Sequence, residues 1–231
     1  MGGQACVFYG AAQFSKDVDF LILANESNFA GLHAALTELE AVRIAVPRFD
    51  PDLLARGHAV HYRCKSAGVD GLRIDVMTTL RDLPGFEILW QRRTTITEEG
   101  KREIQLLSVP DLVNAKKTQR EKDWPMINAL VEGHYQSMQH DPNPERILFW
   151  FNESRTPERL VELTTRFPAE AAVVQSTRLL IAHAMAGNLP LLREALDAEV
   201  RAEQEKDRIY WEPLKREMEA FRRAEREGDS Q

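Results

Sequence analysis

The fold is decided by the stretch Gly10-Ala-Ala-Gln-Phe-Ser-Lys-Asp17-Val-Asp19-Phe-Leu-Ile-Leu23, in which two aspartates open a run of apolar, strand-forming residues. Aspartate is depleted in strands because its short polar side chain competes for nearby backbone groups, so two of them at the start of a strand indicate a function. Side chains alternate along an extended chain, which places Asp17 and Asp19 on the same face. We therefore predict that these two carboxylates lie close enough to share a cation.

A second strand is predicted at Leu72-Arg-Ile-Asp75-Val-Met77. The apolar residues of this run take one face of the strand, and Asp75 takes the other face together with Arg73. The residues alone leave two interpretations open. Asp75 either pairs with Arg73 or another base, or joins Asp17 and Asp19 as the third member of an acidic cluster.

Composition narrows the class of protein. The 231 residues, 43% of them hydrophobic, are enough for one full core or for a core domain with a smaller partner. A net charge of −6, from 30 basic and 36 acidic residues, argues against a generic attraction to nucleic acid. Cys6 and Cys64 provide no disulfide framework, and no apolar run approaches the roughly 20 residues that cross a bilayer. We therefore expect a cytoplasmic protein without a membrane partner.

Strand signals end near Trp124, and amphipathic helices follow. The predicted fold class is therefore α+β, with a mixed sheet flanked by helices in residues 1–124 and an all-α region in residues 125–231. The last segment, residues 199–227, is highly charged with sparse apolar residues. It either packs on a neighbour, which would be a second copy in a homodimer or a cognate protein, or forms a loosely attached surface helix. The helices after Trp124 are predicted at residues 126–139, 145–152, 157–166, 169–186 and 190 to about 226, the last interrupted or kinked at Pro213.

Two smaller patterns bear on the site. Residues 94–96 and 104–107 predict a hairpin around the loop at residues 98–101. His58 and His61 would take opposite faces of a strand over residues 58–64, so they do not form a metal pair, and we assign them structural or surface roles.

Glycines and lysines are candidate phosphate contacts. Gly2-Gly3 precede a segment that forms a short helix or a buried turn, and glycines there let backbone N–H groups approach an anion. The other interpretation is a flexible chain end. The helix that starts near Pro110 collects cations on its polar side, which is either a solvated face or a phosphate-facing patch. These cations are Lys116, Lys117, Arg120 and Lys122.

The ordered set of Gly2-Gly3, Asp17-Val-Asp19 and Asp75 resembles the polymerase-β-type nucleotidyltransferase superfamily, in particular its small prokaryotic branch. In that branch Gly-Gly-x-Ala is followed by a short helix ending in glycine, here Gly10, and then by Asp-x-Asp. The helix start at residues 107–117 and the run at residues 120–123 resemble the segment that closes the core in such proteins. The resemblance covers about the first half of the chain.

The resemblance implies a nucleotidyltransferase-like sheet and an activity. Asp17, Asp19 and Asp75 would be the catalytic carboxylates and the ligands of Mg²⁺, a hard cation that prefers oxygen ligands. The enzyme would move a nucleoside monophosphate from a nucleoside triphosphate (NTP) to a hydroxyl acceptor and release pyrophosphate. The acceptor would be a small molecule, an RNA end or a protein side chain. The phosphates would be positioned by Gly2, Gly3 and Ser15, and would pair with Lys116 or Lys122.

Two features depart from the family pattern. Gln13 stands where the branch usually has a basic residue. The family also places a strand before the glycine pair, and we therefore expect the native reading frame to extend upstream of Met1. These departures favour a second hypothesis, a catalytically impaired member that serves as a binding or regulatory module in a toxin–antitoxin or phage-defence system. A third hypothesis is a non-enzymatic helical interaction protein whose aspartates are caps and surface charges.

Overall fold

The computed structural model describes residues 1–97 and 102–228. Helices and strands alternate in the first half of the chain, and helices alone follow. In chain order the elements are α1 Gly2–Phe8, β1 Asp17–Leu21, α2 Glu26–Glu38, β2 Val42–Arg43, α3 Pro51–Ala55, β3 Val60–Arg63, β4 Arg73–Met77, α4 Phe86–Gln91, β5 Thr94–Thr97, β6 Glu103–Leu106, α5 Val109–Lys116, α6 Asp123–Met138, α7 Pro144–Glu153, α8 Pro157–Arg166, α9 Pro168–Val174, α10 Ile181–Met185 and α11 Leu189–Gly228.

Local sequence signals start several of these helices. Proline occupies the first helical position of α3, α7, α8 and α9, where its missing N–H would have had no partner within the helix. Asp50 caps α3, since its carboxylate accepts a hydrogen bond from the backbone nitrogen of Asp52 at 2.8 Å. Asn25 caps α2 in the same way, through the backbone nitrogen of Asn28 at 2.8 Å.

A mixed sheet organises the first half of the described chain, in the strand order β1-β4-β3-β2. Strand β1 pairs with β4 in parallel, whereas β3 is antiparallel to both β4 and β2. One sheet face packs against α2 and α3 through Leu36 and Leu54. The strand residues in that core are Val60, Tyr62, Ile74 and Val76. The opposite face therefore carries the alternate residues of β1, β3 and β4.

The predicted hairpin is confirmed by the antiparallel pair β5–β6, in which Thr95 lies opposite Gln105. Its predicted loop at residues 98–101 lies outside the described residues.

A second core is entirely helical. It is built from α6 to α11 around the buried side chains of Tyr135, Trp150, Phe151 and Leu163. The tyrosine and tryptophan rings meet edge to face with their centroids 5.0 Å apart. The predicted fold class, α+β with a mixed sheet flanked by helices and helices toward the C-terminus, is therefore confirmed.

Two helix predictions need comment, and the first of them was wrong. The helix predicted over residues 169–186 is divided into α9 and α10. The hydroxyls of Ser176 and Thr177 donate to the carbonyl oxygens of Val173 and Val174, and such local bonds compete with helix continuation. Helix α11 continues through Pro213 to Gly228, so the helix is not interrupted there, and the alternative of a kink at Pro213 stays a prediction.

Backbone contacts divide the chain into two compact units. The first comprises Met1–Phe8, Ala12–Ala115 and the residues from Ile209 onward, and the second comprises Tyr9–Ala11 and Lys116–Arg208. The sequence-based division into residues 1–124 and 125–231 has other bounds than these units and stays a prediction. None of the helices in the described part of the chain combines the length and the apolar character needed to cross a membrane.

Candidate active site

The parallel register of β1 and β4 brings the predicted carboxylates to one sheet face. Asp19 lies opposite Asp75, and Asp17 lies opposite Arg73. Registered residues in neighbouring strands point to the same side of a sheet, so all three aspartates and Arg73 share the face that does not carry the α2–α3 core. The antiparallel register of β3 adds His61 to this face, opposite Asp75.

Gly2 packs its backbone against the carboxylate of Asp19. A Cβ atom at Gly2 would lie 1.8 Å from Oδ2 of Asp19, and the residue adopts a φ of +68°. Both features require glycine. The backbone nitrogen of Gly3 donates to the same Oδ2 at 3.4 Å. The first turn of α1 therefore positions Asp19.

Ser15 connects α1 to the start of β1. A Cβ atom at Gly3 would lie 2.4 Å from the Ser15 hydroxyl. That hydroxyl donates to the carbonyl oxygen of Asp17 at 2.9 Å and accepts from the Asp17 backbone nitrogen at 3.4 Å. The Gln4 side chain donates to the Ser15 carbonyl oxygen at 3.1 Å. Gly3 and Ser15 thus hold the backbone on which Asp17 stands, and their predicted role toward phosphates stays a prediction.

Asp75 is bound by two side chains of its own face. Its Oδ1 atom lies 2.8 Å from Nε of Arg73 and 2.8 Å from Nδ1 of His61. An ionised carboxylate only accepts hydrogen bonds, and arginine only donates them. The bond between His61 and Asp75 therefore places a proton on Nδ1 of His61. The 3.1 Å approach of an Arg73 terminal nitrogen to Nδ1 is then a contact and not a second hydrogen bond.

The charged side chains of this face shift one another's pKa values. Burial alone would raise the pKa of Asp75, but the hydrogen bonds from His61 and Arg73 outweigh it and hold that pKa below its ordinary value. The hydrogen bond to Asp75 raises the pKa of Arg73, and the charges of Asp17 and Asp19 add to that increase. The face therefore carries carboxylates, one of which, Asp75, is bonded to the Arg73 guanidinium.

The donor set suits Mg²⁺, although the arrangement is not preassembled. Carboxylate oxygens are the ligands that this ion prefers. Nevertheless, within residues 1–97 and 102–228 no group of three His, Cys, Asp or Glu side chains stands in an arrangement that could hold a metal ion. The cation that Asp75 contacts in this structure is the Arg73 guanidinium. Metal binding by Asp17, Asp19 and Asp75 stays a prediction.

A small cavity adjoins β1 at Phe20 and Leu21. It has a volume of about 80 Å³, and the Arg93 guanidinium stacks over the Trp90 ring in its wall at 4.0 Å from the ring centroid. Small-molecule sites typically measure about 300–1,000 Å³, so we assign no ligand to this cavity. Its other lining residues are Met1, Phe20, Leu21, Phe86, Leu89, Gln105, Leu106 and Leu107.

The two lysines predicted to meet phosphates belong to the second unit. Lys116 is buried, and its amine lies 3.2 Å from a carboxylate oxygen of Asp123, which is itself completely buried. Burial raises the pKa of Asp123, but Lys116, the Thr118 hydroxyl and Arg120 outweigh burial and lower it. Lys116 of the predicted basic face is thus internal to this unit, whereas Arg120 is exposed. Lys122 is exposed and directly precedes α6.

His61 is the residue that sequence reasoning missed, because we assigned it a structural or surface role. The available signal was its alternation with Val60 and Tyr62, which predicts a polar face for β3 but not the partner strand.

Comparison with family models gives no match for this chain, and comparison with curated proteins reveals none that is significantly similar to it.

Proposed function

We propose that this chain is a Mg²⁺-dependent nucleotidyltransferase that moves a nucleoside monophosphate from an NTP to a hydroxyl acceptor, with release of pyrophosphate. The observation that carries the proposal is the register of two parallel strands. It sets Asp19 opposite Asp75 on the face that also carries Asp17. Three acidic residues from two strands on one sheet face are costly without a cation, which favours a functional role over a role in stability.

The side chains of this face have distinct tasks in the proposal. Asp17, Asp19 and Asp75 would hold the metal, and Mg²⁺ would supply positive charge for the triphosphate and the leaving pyrophosphate. The close approach of Gly2 and the Gly3 amide keep Asp19 in place. Because the pKa of Asp75 is lowered, this carboxylate is a better ligand than general base.

The acceptor is not identified by any residue of the site. We keep a small hydroxylated molecule, an RNA end and a protein side chain as alternatives. The helices of the second unit remain the proposed place for acceptor choice and for a homodimer or cognate partner contact. The third hypothesis, a non-enzymatic helical interaction protein, predicts that NTP does not bind at all.

The test is transfer of label from each radiolabelled NTP to fractions of a cell extract in the presence of Mg²⁺. We expect one fraction, RNA, protein or metabolite, to carry the label. Asp17→Asn and Asp19→Asn should each abolish transfer, whereas Asp70→Asn, an exposed aspartate in the turn before β4, should not. Undiminished transfer by Asp19→Asn would overturn the assignment.

One observation favours a second candidate, a catalytically impaired module of the same fold that binds nucleotide without turnover. Asp75, the third carboxylate, is bonded to Arg73 rather than placed with the other two around a common point. This candidate predicts that calorimetry detects Mg²⁺-NTP binding while no pyrophosphate is released. Detectable pyrophosphate release in the same preparation would exclude it.

A further inference from the structure

We propose that Arg73 is a built-in competitor of the divalent ion, so that metal binding at this face requires the guanidinium to release Asp75. This inference rests on the proposed function, because it assumes that the carboxylates bind a metal. It adds a regulatory residue that the proposed activity does not require.

The position of Arg73 is the first argument. It lies opposite Asp17 in the register and two residues before Asp75, so one side chain faces carboxylates of both strands. Its Nε atom donates to Oδ1 of Asp75 at 2.8 Å. A guanidinium held there neutralises the same negative charge that a divalent ion would neutralise.

Arg73 can leave the Asp75 carboxylate at little cost in free energy. Its side chain is 37% exposed, whereas that of Asp75 is only 14% exposed. A guanidinium that already contacts water regains hydration when its ion pair breaks, which is why pairs of this kind contribute little to stability. The bond therefore occupies Asp75 in the absence of metal, but it can break when a metal binds.

His61 provides the third argument. Its Nδ1 atom binds the same Oδ1 atom at 2.8 Å, and β3 holds it opposite Asp75. When Arg73 leaves, this bond keeps the orientation of Asp75.

The test measures metal affinity and needs no turnover. Mn²⁺, a paramagnetic probe for Mg²⁺ sites, is titrated into the metal-free protein, and free Mn²⁺ is followed by electron paramagnetic resonance. We expect Arg73→Gln to bind Mn²⁺ at least about tenfold more tightly than the wild type, because a unit positive charge beside the ligands is gone. Arg63→Gln is the charge-matched control, since Arg63 lies opposite Arg73 in β3 but makes neither of the bonds to Asp75.

The outcomes separate this inference from the proposed function. Equal or weaker binding by Arg73→Gln, with binding abolished in Asp19→Asn, leaves the metal site in place and overturns the competitor role. An equal gain in Arg63→Gln also overturns it, because the effect would then be general charge. Absence of Mn²⁺ binding in every variant overturns both proposals.

A second variant covers the case in which Arg73→Gln does not fold without metal. Arg73→Lys keeps the charge but replaces the guanidinium fork by a compact ammonium group. We expect Arg73→Lys to bind Mn²⁺ more tightly than the wild type, but with a smaller gain than Arg73→Gln. Affinity at or below the wild-type value would count against the competitor role.

Discussion

Gly2 and Asp19 touch so closely that a single added carbon cannot fit, since a Cβ atom at Gly2 would lie 1.8 Å from Oδ2 of Asp19. The two residues lie on α1 and β1, so this contact fixes the helix against the acidic end of the strand. It also links the glycine pair of the sequence directly to a proposed metal ligand.

We therefore predict that Gly2→Ala displaces Asp19 and lowers nucleotidyl transfer by about 100-fold, the loss that a misplacement of about 1 Å can cause. Gly10→Ala is the matched control, because Gly10 has a similar φ of +73° but open space around a Cβ atom. Both variants carry backbone strain of about 1–2 kcal/mol. Transfer rates and melting temperatures of the two variants check the prediction, and equal transfer rates would contradict it.

Gly3 and Ser15 form a second close pair. We predict that Gly3→Ala destabilises the protein, because its Cβ atom would lie 2.4 Å from the Ser15 hydroxyl. Ser15→Ala removes that oxygen, so Gly3→Ala should cost less in the Ser15→Ala background, with a coupling energy of about 0.5–3 kcal/mol. Urea unfolding of the four proteins of this cycle measures the coupling. Strictly additive effects would show that the contact does not constrain α1.

Asp123 leads to a prediction on pH. We expect Asp123→Asn to lower the free energy of unfolding at pH 7 by about 3–5 kcal/mol, because the buried amine of Lys116 would lose its counter-charge. The pKa of Asp123 is lowered in the folded protein, so its contribution is present above the ordinary aspartate value and is lost as pH falls through the folded value.

The difference between the wild type and Asp123→Asn should therefore shrink as pH is lowered below about 3.9. Urea unfolding over a pH series measures it. Glu121→Gln, at an exposed position in the same loop, is the control and should change stability by less than about 0.5 kcal/mol. A difference that does not depend on pH would contradict the linkage.

His58 and Glu217 lead to a prediction on α11. The buried His58 ring lies 2.8 Å through Nε2 from Glu217, and its Nδ1 atom has no hydrogen-bond partner among the residues described. Glu217→Ala should cost about 1–3 kcal/mol, because the imidazole would lose the bond that it has. Glu217→Gln keeps an acceptor and should retain most of the stability. Glu219→Ala, an exposed glutamate of the same helix, is the control in urea unfolding.

The sequence predicts that the aspartates share one sheet face, but it does not predict every side chain that contacts them. Alternation along a strand is local, so Asp17 and Asp19, and likewise Arg73 and Asp75, could be placed on shared faces. His61 could not be placed, because its contact with Asp75 depends on the antiparallel register of β3 and β4. Register between strands that are distant in sequence is set by the packed core and not by either strand alone.

The lysines show a similar limit. The helical pattern places Lys116 on the polar side of its helix, but it does not reveal the ion pair with Asp123. That partner lies beyond the end of the helix. Likewise, Ser176 and Thr177 permit a helix in principle, and only the bonds that they make to Val173 and Val174 show why α9 ends there.

Both ends of the chain contribute to the unit that contains the sheet. Leu214 is buried, Glu217 meets His58, and the Phe221 ring lies 6.0 Å from the His58 ring. During synthesis on the ribosome, this unit therefore cannot complete its contacts until the residues after position 208 have been made. The aspartates of β1 are therefore translated long before the part of α11 that meets His58.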